Sequence, residues 1–232
     1  MGRVDRMGQM IEFASDGGDG SGYLAEPDVG MGLPLVVIQE WWGLVPHIID
    51  VCDRFAAEGF VALAPDLYRG QQTTEPDEAG KLMMAMNLGQ AATDLSGAVD
   101  EVSARAGGLG VGVTGFCMGG GLAMVLATQR PDKVRGCVPW YGIIPWAGAQ
   151  PNWAALEAPI LGHFAERDGF FTPEAARGLE DQLRALGKTA ELIVHPGVDH
   201  AFFNDTRPEV YDADTAAICW QQTVGFFKSV LV

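Results

Sequence analysis

The sequence has few positive charges and few cysteines, and both shortages exclude classes of function. Its 232 residues include 15 Lys and Arg against 30 Asp and Glu, so the formal net charge is −15. Because an acidic surface repels a phosphate backbone, we expect no nucleic-acid partner. The four cysteines, at positions 52, 117, 137 and 219, include no Cys-x-x-Cys pair, which indicates neither a zinc site nor a disulfide framework. Reduced thiols in a cytoplasmic protein are the simplest interpretation.

Long apolar runs are also missing. No stretch approaches the ~20 apolar residues of a membrane helix, and the first twenty residues lack the apolar segment of a secretory signal. We therefore expect neither membrane attachment nor export. A hydrophobic fraction of 48% is typical of a globular protein, and the length suits one domain over residues 1–232.

Apolar runs of strand length alternate with segments of helical period. Predicted strands cover 33–40, 60–67, 110–116, 134–142, 158–168 and 189–197. Predicted helices cover 46–59, 91–107, 118–129, 173–187 and 210–231, with a less regular one over 77–89. This alternation predicts the α/β class, with a mostly parallel central sheet and helices on both faces.

Cys117 lies in the segment GFCMG, where a predicted strand ends and a predicted helix begins. Glycines two residues before and two after it match the Gly-x-Ser-x-Gly elbow, which holds a nucleophile on a sharp turn. A helix N-terminus favours thiolate over thiol, and the backbone N–H of Met118 would point at an oxyanion formed there. On this pattern alone a catalytic cysteine and a small buried one both remain open. The other three cysteines lie in apolar patterns and are interpreted as core residues.

A nucleophile on such an elbow needs an acid and then a histidine later in the chain. We prefer His200, in the loop after the last predicted strand, and keep His195 as the alternative. Asp168, at the end of an earlier strand, would hold the imidazole in one tautomer. Three other aspartates compete for that role: Asp66, Asp199 and Asp205.

Glu40 ends the strand over 33–40 and precedes the segment WWG. That loop should face the elbow at the same edge of the sheet, so the Trp41 N–H would be a second oxyanion donor. A glutamate beside a thiol would raise its pKa or accept its proton. A solvated acid at a strand end is the plainer alternative.

Taken in order, VIQEWWGL, GFVALAPDLY, GFCMGG, WYG, ERD and HAFFND resemble the dienelactone hydrolase family of the α/β-hydrolase superfamily. The resemblance runs from about residue 20 to the C-terminal helix and implies an α/β-hydrolase fold. It also implies roles for six residues: a triad at Cys117, Asp168 and His200, oxyanion amides at Trp41 and Met118, and contact with the nucleophile at Glu40.

The activity that the resemblance implies is hydrolysis of an enol-lactone, typically dienelactone to maleylacetate, with no metal or organic cofactor. The thiolate would attack the carbonyl, two amides would hold the oxyanion, and a thioester would form. His200 would then activate the water that releases the acid. The expected partner is a small-molecule ester or lactone, acted on by a monomer or homodimer.

The sequence departs from the family at the substrate carboxylate. Members that act on dienelactone hold that group with arginines, one of them shortly after the catalytic histidine. Here the first arginine after His200 is Arg207, and Lys81 is an imperfect replacement for an arginine fork. We therefore predict an uncharged ester or lactone in a partly aromatic pocket. Five residues are assigned to substrate binding: Trp42, Lys81, Tyr141, Phe170 and Phe202.

Two other functions remain open. Glutamine amidotransferase-like enzymes also place a cysteine on an elbow, but they lack the arrangement ERD…DHAFFND. A binding or redox-sensing protein on the same fold, with Cys117 as a reactive thiol, would be acylated by an activated ester without turning it over.

Overall fold

The computed structural model describes residues 8–16, 18–142 and 144–232, and its strands form one sheet in the order β1-β2-β4-β3-β5-β6-β7-β8. The strands are β1 (Gly8–Ser15), β2 (Gly18–Ala25), β3 (Leu33–Ile38), β4 (Phe60–Pro65), β5 (Val111–Phe116), β6 (Val134–Trp140), β7 (Ile160–Arg167) and β8 (Ala190–Asp199). The helices are α1 (Pro46–Ala57), α2 (Pro76–Ala85), α3 (Leu88–Arg105), α4 (Met118–Gln129), α5 (Pro173–Ala185) and α6 (Ala213–Val230). Within the described residues, no helix has the length and apolar character that crossing a membrane requires.

The strands from β3 to β8 are parallel, whereas β1 and β2 are antiparallel. Every residue of β4 and of β5 is buried, as expected of parallel strands covered on both faces. The predicted α/β class is confirmed.

The direction of the chain reverses between β3 and β5. The crossover through α1 leads from β3 to β4, and the crossover through α3 then leads back past β3 to β5. Because such crossovers are right-handed, α1 covers one face of the sheet while α3, α4 and α5 cover the other. α6 joins α1, with the rings of Phe55 and Trp220 at 4.4 Å. The crevice at this reversal is where open α/β sheets bind ligands.

Local sequence patterns predict most of the helices and strands. The helix over 118–129 is confirmed to the residue, and α5 and α6 are shorter than predicted. The helix over 77–89 was wrong at its end, because Met86 turns to an extended conformation with ψ 131°. The Asn87 side chain then caps α3, accepting from the Gln90 N–H at 3.1 Å. The hairpin of β1 and β2 was not predicted, since GDGSGYLA carries little strand pattern.

Aromatic rings fill the core beneath the carboxyl ends of the central strands. Phe116 stacks on Phe203 at 5.4 Å between ring centroids, and Trp140 lies 4.5 Å from the same ring. Phe203 belongs to the loop after β8, so this packing anchors that loop over the ends of β5 and β6.

Candidate active site

The register of β7 and β8 brings an acid and a histidine together. Arg167 and Asp199 pair near the ends of the two strands, and Asp168 and His200 are the next residues of each. The Nδ1 atom of His200 lies 2.7 Å from Oδ2 of Asp168. Parallel strands with matched ends therefore place the imidazole against the carboxylate.

The Asp168 carboxylate is fixed at both oxygens. Its side chain is fully buried, and Oδ1 accepts the N–H groups of Phe170 and Phe171 at 2.8 and 3.1 Å. The other oxygen faces His200. Because the loop holds the carboxylate in this orientation, the imidazole has one favoured tautomer, with its Nε2 directed away from Asp168.

Cys117 occupies a strained turn between β5 and α4. Its backbone has φ 55° and ψ −119°, a region that side-chain-bearing residues rarely adopt, at a cost of about 1–3 kcal/mol. The flanking glycines make the turn possible. A Cβ on Gly115 would overlap the carbonyl of Gly119, and one on Gly119 would overlap the carbonyls at the end of β3.

The Cys117 thiol lies close enough to His200 to affect the pKa of the imidazole. Burial disfavours a charged ring, but the hydrogen bond to Asp168 and the proximity of Cys117 outweigh burial and raise the pKa of His200 to about 10. The ring is therefore protonated at neutral pH, where it is suited to pair with a thiolate.

Two backbone amides at this edge have no protein acceptor among residues 8–16, 18–142 and 144–232. One is the N–H of Met118, the first helical residue, which has no intrahelical partner. The other is the N–H of Trp41, which follows the end of β3. Since β3 and β5 are neighbours and Ile38 pairs with Gly115, both amides lie at the same edge of the sheet as Cys117.

Glu40 is buried rather than solvated, with 1% of its surface exposed. Its Oε2 accepts the side-chain amide of Asn204 at 2.7 Å. Asn204 is held in turn, because its Oδ1 accepts the N–H and the hydroxyl of Thr206 at 3.1 and 2.6 Å. The loop after β8 thus reaches back to the loop after β3.

Two buried tyrosines lie near Cys117. Tyr141 is fully buried with φ 38°, its ring meets His200 edge-on at 5.0 Å, and within the described chain its hydroxyl has no partner. Burial raises the pKa of Tyr141, and the negative charges of Glu40 and Cys117 add to the effect, so the three groups share one neighbourhood. Tyr68 donates to the sulfur of Met118 at 3.3 Å, and burial together with Cys117 raises its pKa as well.

Sequence reasoning overlooked Asn204 and Tyr68. Both lie in segments that carry the family resemblance, HAFFND and GFVALAPDLY, and that position was the available signal.

The residues assigned to substrate binding occupy different settings. Phe170 is 69% exposed and meets His200 edge-on at 5.1 Å, and Trp42 is half-buried. Phe202 is fully buried, with its ring 5.5 Å from that of Tyr141, so it supports the site from behind. Lys81 lies on α2, and its ammonium pairs with Glu78 at 2.6 Å.

Two cavities flank the site. One, of about 500 Å³, has a mostly apolar lining: Met124, Ile144, Pro145, Gln150, Pro151, Trp153, Phe170, Phe171, Ala175, Leu179 and Gln182. The other, of about 730 Å³, is lined by more polar residue types: Trp42, Val45, Pro46, His47, Gln72, Thr73, Thr74, Asn204, Thr206, Arg207 and Glu209. Arg207 pairs there with Glu209 at 2.9 Å.

The competing aspartates have other partners. Asp66 accepts the amides of Tyr68 and Gly70 at 3.1 and 2.6 Å and so closes the turn after β4. Asp199 lies 3.8 Å from Arg167. The carboxylate of Asp205 lies 3.2 Å from Nδ1 of His47.

The alternative histidine, His195, belongs to a separate buried cluster. Its Nε2 lies 3.1 Å from Nδ1 of His163 and 3.2 Å from Sγ of Cys219. Burial, and secondarily the charge of His195, lowers the pKa of His163 to about 3, and burial lowers that of His195. Both rings are therefore neutral at pH 7. Burial also raises the pKa of the Cys219 thiol to about 12.

Comparison with known proteins places the chain among hydrolases. The family model described as "Dienelactone hydrolase family" matches residues 21–231. "Protein usf" of Aquifex pyrophilus is 39% identical over 97% of this chain and all of its own length. A protein of Aquifex aeolicus named "Putative carboxymethylenebutenolidase" is 37% identical over the same shares.

Solved structures are also similar to this chain. A dienelactone hydrolase structure from Klebsiella pneumoniae, titled as putative, superposes with a TM-score of 0.84 at 30% identity, covering 95% of this chain and 98% of its own. A Pyrobaculum calidifontis esterase gives a TM-score of 0.70 at 19% identity, over 96% of this chain and 84% of its own, and this likeness shows the fold alone.

Proposed function

The chain belongs to the dienelactone hydrolase family and is a hydrolase of α/β-hydrolase fold, and on that premise we propose that it cleaves a carboxylic ester or lactone through Cys117, His200 and Asp168. The observation that carries the proposal is a buried carboxylate bonded to a protonated imidazole, beside a thiol on a strained elbow. Every group of that chain lies at the carboxyl edge of the sheet, beside the reversal between β3 and β5.

Acylation begins when the thiolate of Cys117 attacks the carbonyl carbon. As the C–S bond forms, the carbonyl electron pair moves to oxygen, and the amides of Trp41 and Met118 donate to the oxyanion. Collapse of the tetrahedral intermediate expels the alkoxide or enolate, which takes the proton from the His200 imidazolium. The acyl group is left as a thioester on Cys117.

Deacylation uses the imidazole in its neutral form. His200 takes a proton from water as the water oxygen attacks the thioester carbonyl. Collapse breaks the C–S bond, releases the carboxylic acid and restores the thiolate beside the imidazolium. In both half-reactions Asp168 stabilises the imidazolium and keeps Nε2 directed at the reacting groups.

The cavities favour an uncharged apolar substrate. Phe170 joins His200 to the 500 Å³ cavity, whose described lining contains no lysine or arginine. Such a lining accepts an apolar acyl or alcohol group and offers no partner to a carboxylate. On the other side, the charge of Arg207 is compensated by Glu209. We therefore place p-nitrophenyl esters and neutral lactones ahead of dienelactone, whose carboxylate lacks a dedicated arginine.

The decisive experiment compares Cys117→Ser with a matched control, Cys137→Ser, whose buried cysteine lies in β6 away from the site. Turnover of p-nitrophenyl acetate should fall at least about a hundredfold in Cys117→Ser, because a hydroxyl is far less ionised than a thiol, and should persist in Cys137→Ser. A Cys117→Ser protein as active as the parent contradicts the proposal. Stable acylation of Cys117 without turnover favours the binding or redox-sensing alternative.

The proposal extends to the compartment in which the protein acts and to its oligomeric state. The described cysteines are all free, which favours a reducing compartment such as the cytoplasm. The proposed reaction uses only side chains and amides of one chain, so a monomer and a homodimer of a single domain are equally compatible with it.

A further inference from the structure

A second group of reactive side chains lies in the core, away from Cys117. It consists of His163 on β7, His195 on β8 and Cys219 on α6, and we call it the His-His-Cys cluster. One donor atom from each residue lies within 4.8 Å of the other two. His163 and Cys219 are fully buried, and His195 is 8% exposed.

Short contacts join the three residues. The Nε2 atom of His195 lies 3.1 Å from Nδ1 of His163 and 3.2 Å from Sγ of Cys219, and the same sulfur lies 3.8 Å from Nδ1 of His195. A neutral imidazole nitrogen carries either one hydrogen or one lone pair, so Nε2 makes a well-aligned hydrogen bond to only one of these partners. A cation at the centre would be within reach of a donor atom from each of the three residues.

From this convergence we propose that His163, His195 and Cys219 bind one zinc-class cation. Imidazole and thiolate are the donors that Zn²⁺ takes in proteins, and its Zn–N and Zn–S distances of about 2.0–2.1 and 2.3 Å require donors separated by somewhat more than 3 Å. On binding, the S–H bond of Cys219 breaks, the proton leaves to solvent and an S–Zn bond forms. The ligands come from three elements far apart in sequence, which is why cysteine spacing gave no sign of them.

Thr223 supplies the outer support that metal-bound histidines commonly have. It is buried on α6, one turn after Cys219, and its Oγ1 lies 3.1 Å from Nε2 of His163. A hydrogen on Nε2 donates to this hydroxyl and leaves the Nδ1 lone pair directed at the cluster. The hydroxyl therefore selects the tautomer that a cation needs.

The site would lie apart from the proposed reaction centre. His163 and His195 belong to the two strands that carry Asp168 and His200, and Cys219 belongs to the helix packed behind them. A cation at the cluster would join β7 and β8 to α6 beneath the loop that bears His200. The inference does not depend on the proposed reaction, since no reacting group belongs to the cluster.

The test is a Co²⁺ titration of chelator-treated protein kept reduced with a phosphine. A Cys117→Ala background removes the other reactive thiol. We expect one Co²⁺ per chain, with a thiolate-to-cobalt charge-transfer band and the visible bands of a low-coordinate site, all displaced by Zn²⁺. Cys219→Ser should abolish the charge-transfer band, and the matched Cys137→Ser should retain it.

Variants of Thr223 distinguish a metal site from a core that is held by hydrogen bonds alone. Thr223→Val should weaken Co²⁺ binding about tenfold or more, whereas Thr223→Ser, which keeps the hydroxyl, should bind like the background protein. Absence of stoichiometric binding, or a charge-transfer band that survives in Cys219→Ser, would overturn the proposal. If Cys219→Ser does not fold, X-ray absorption of the zinc-loaded background protein decides. One sulfur at about 2.3 Å with nitrogens at about 2.0–2.1 Å supports the site, and a shell without sulfur refutes it.

Discussion

At the scale of single residues, the proposed reaction depends on the charge of His200. Its pKa is raised to about 10 by Asp168 and Cys117 against the opposing effect of burial. In the proposed mechanism a protonated ring gives the leaving group its proton and a neutral ring then activates water, so both forms must be reached within one cycle. The hydrogen bond that Nδ1–H of His200 donates to Asp168 keeps the ring in the same orientation in both forms.

Removing the charge of Asp168 should impair the passage of His200 between its protonated and neutral forms. In Asp168→Asn the amide no longer stabilises the imidazolium and favours the wrong tautomer, so we expect kcat for p-nitrophenyl acetate to fall by about 10³–10⁴ with little change in KM. Steady-state kinetics check this, with Asp199→Asn as the control because the exposed side chain of Asp199 pairs with Arg167. Equal losses in the two variants would exclude Asp168 as the orienting acid.

The raised pKa of His200 also predicts how the free energy of unfolding depends on pH. A histidine whose pKa rises from 6.5 to about 10 on folding contributes stability that is complete below pH 6.5 and lost as the pH rises through 10. The free energy of unfolding should therefore decline across this window more steeply in the parent than in Asp168→Asn. Urea titrations at several pH values measure the two slopes. Identical slopes would show that Asp168 does not hold the proton on His200.

Asn204 should stabilise the fold through Glu40. Asn204→Leu leaves a buried carboxylate oxygen without its 2.7 Å donor, which costs about 1–3 kcal/mol of unfolding free energy. Thr206→Val removes a hydroxyl that contacts Asn204 but not Glu40, so it should cost less. Urea denaturation measures the unfolding free energy of both variants. A larger loss in Thr206→Val than in Asn204→Leu would show that Asn204 does not stabilise the fold through Glu40.

At the scale of secondary-structure elements, the elbow depends on close approach between β5, α4 and β3. A methyl group at Gly119 would overlap the carbonyls of Ile38 and Gln39, so Gly119→Ala must displace the turn that holds Cys117. We expect a large loss of soluble protein or of stability. Gly178, exposed inside α5, is the matched control, because nothing lies within 4 Å of an added Cβ and alanine favours the helix by about 0.5–1 kcal/mol. Thermal melts compare the two, and a neutral Gly119→Ala would contradict the packing argument.

Elements with a strong local pattern could be predicted from the sequence. The strand-to-helix change at Cys117 was readable from its glycines, and the parallel class from alternating apolar runs. The hairpin of β1 and β2 was not readable, because its glycines suppress the alternation that marks a strand. Long-range partners were also beyond reach. The hydrogen bond of Glu40 to Asn204 spans 164 positions of sequence, and only the packing of two loops brings the groups together.

At the scale of the whole molecule, the acidic surface should make stability depend on salt. Even if each of the 15 basic residues neutralised one carboxylate, 30 − 15 = 15 would remain unpaired. Raising ionic strength from about 0.01 to 0.15 M shortens the screening length from about 30 to 8 Å, which weakens this repulsion. We expect the melting temperature to rise with NaCl at pH 8 and the effect to vanish near the isoelectric point of about 4.5. A melting temperature that falls with salt would mean that attractive ion pairs dominate.

Because the strands are parallel, most of the lysine amines lie at the opposite end of the sheet from Cys117. Three of the four lysines lie at the rim where strands begin: Lys133 precedes β6, Lys188 lies just before β8, and Lys228 pairs at 3.0 Å with Glu58, just ahead of β4. The fourth, Lys81, is on α2. Coupling to an amine-reactive support should therefore tether most molecules by the far rim, leaving the mouth around Cys117 turned toward the bulk liquid and open to incoming esters.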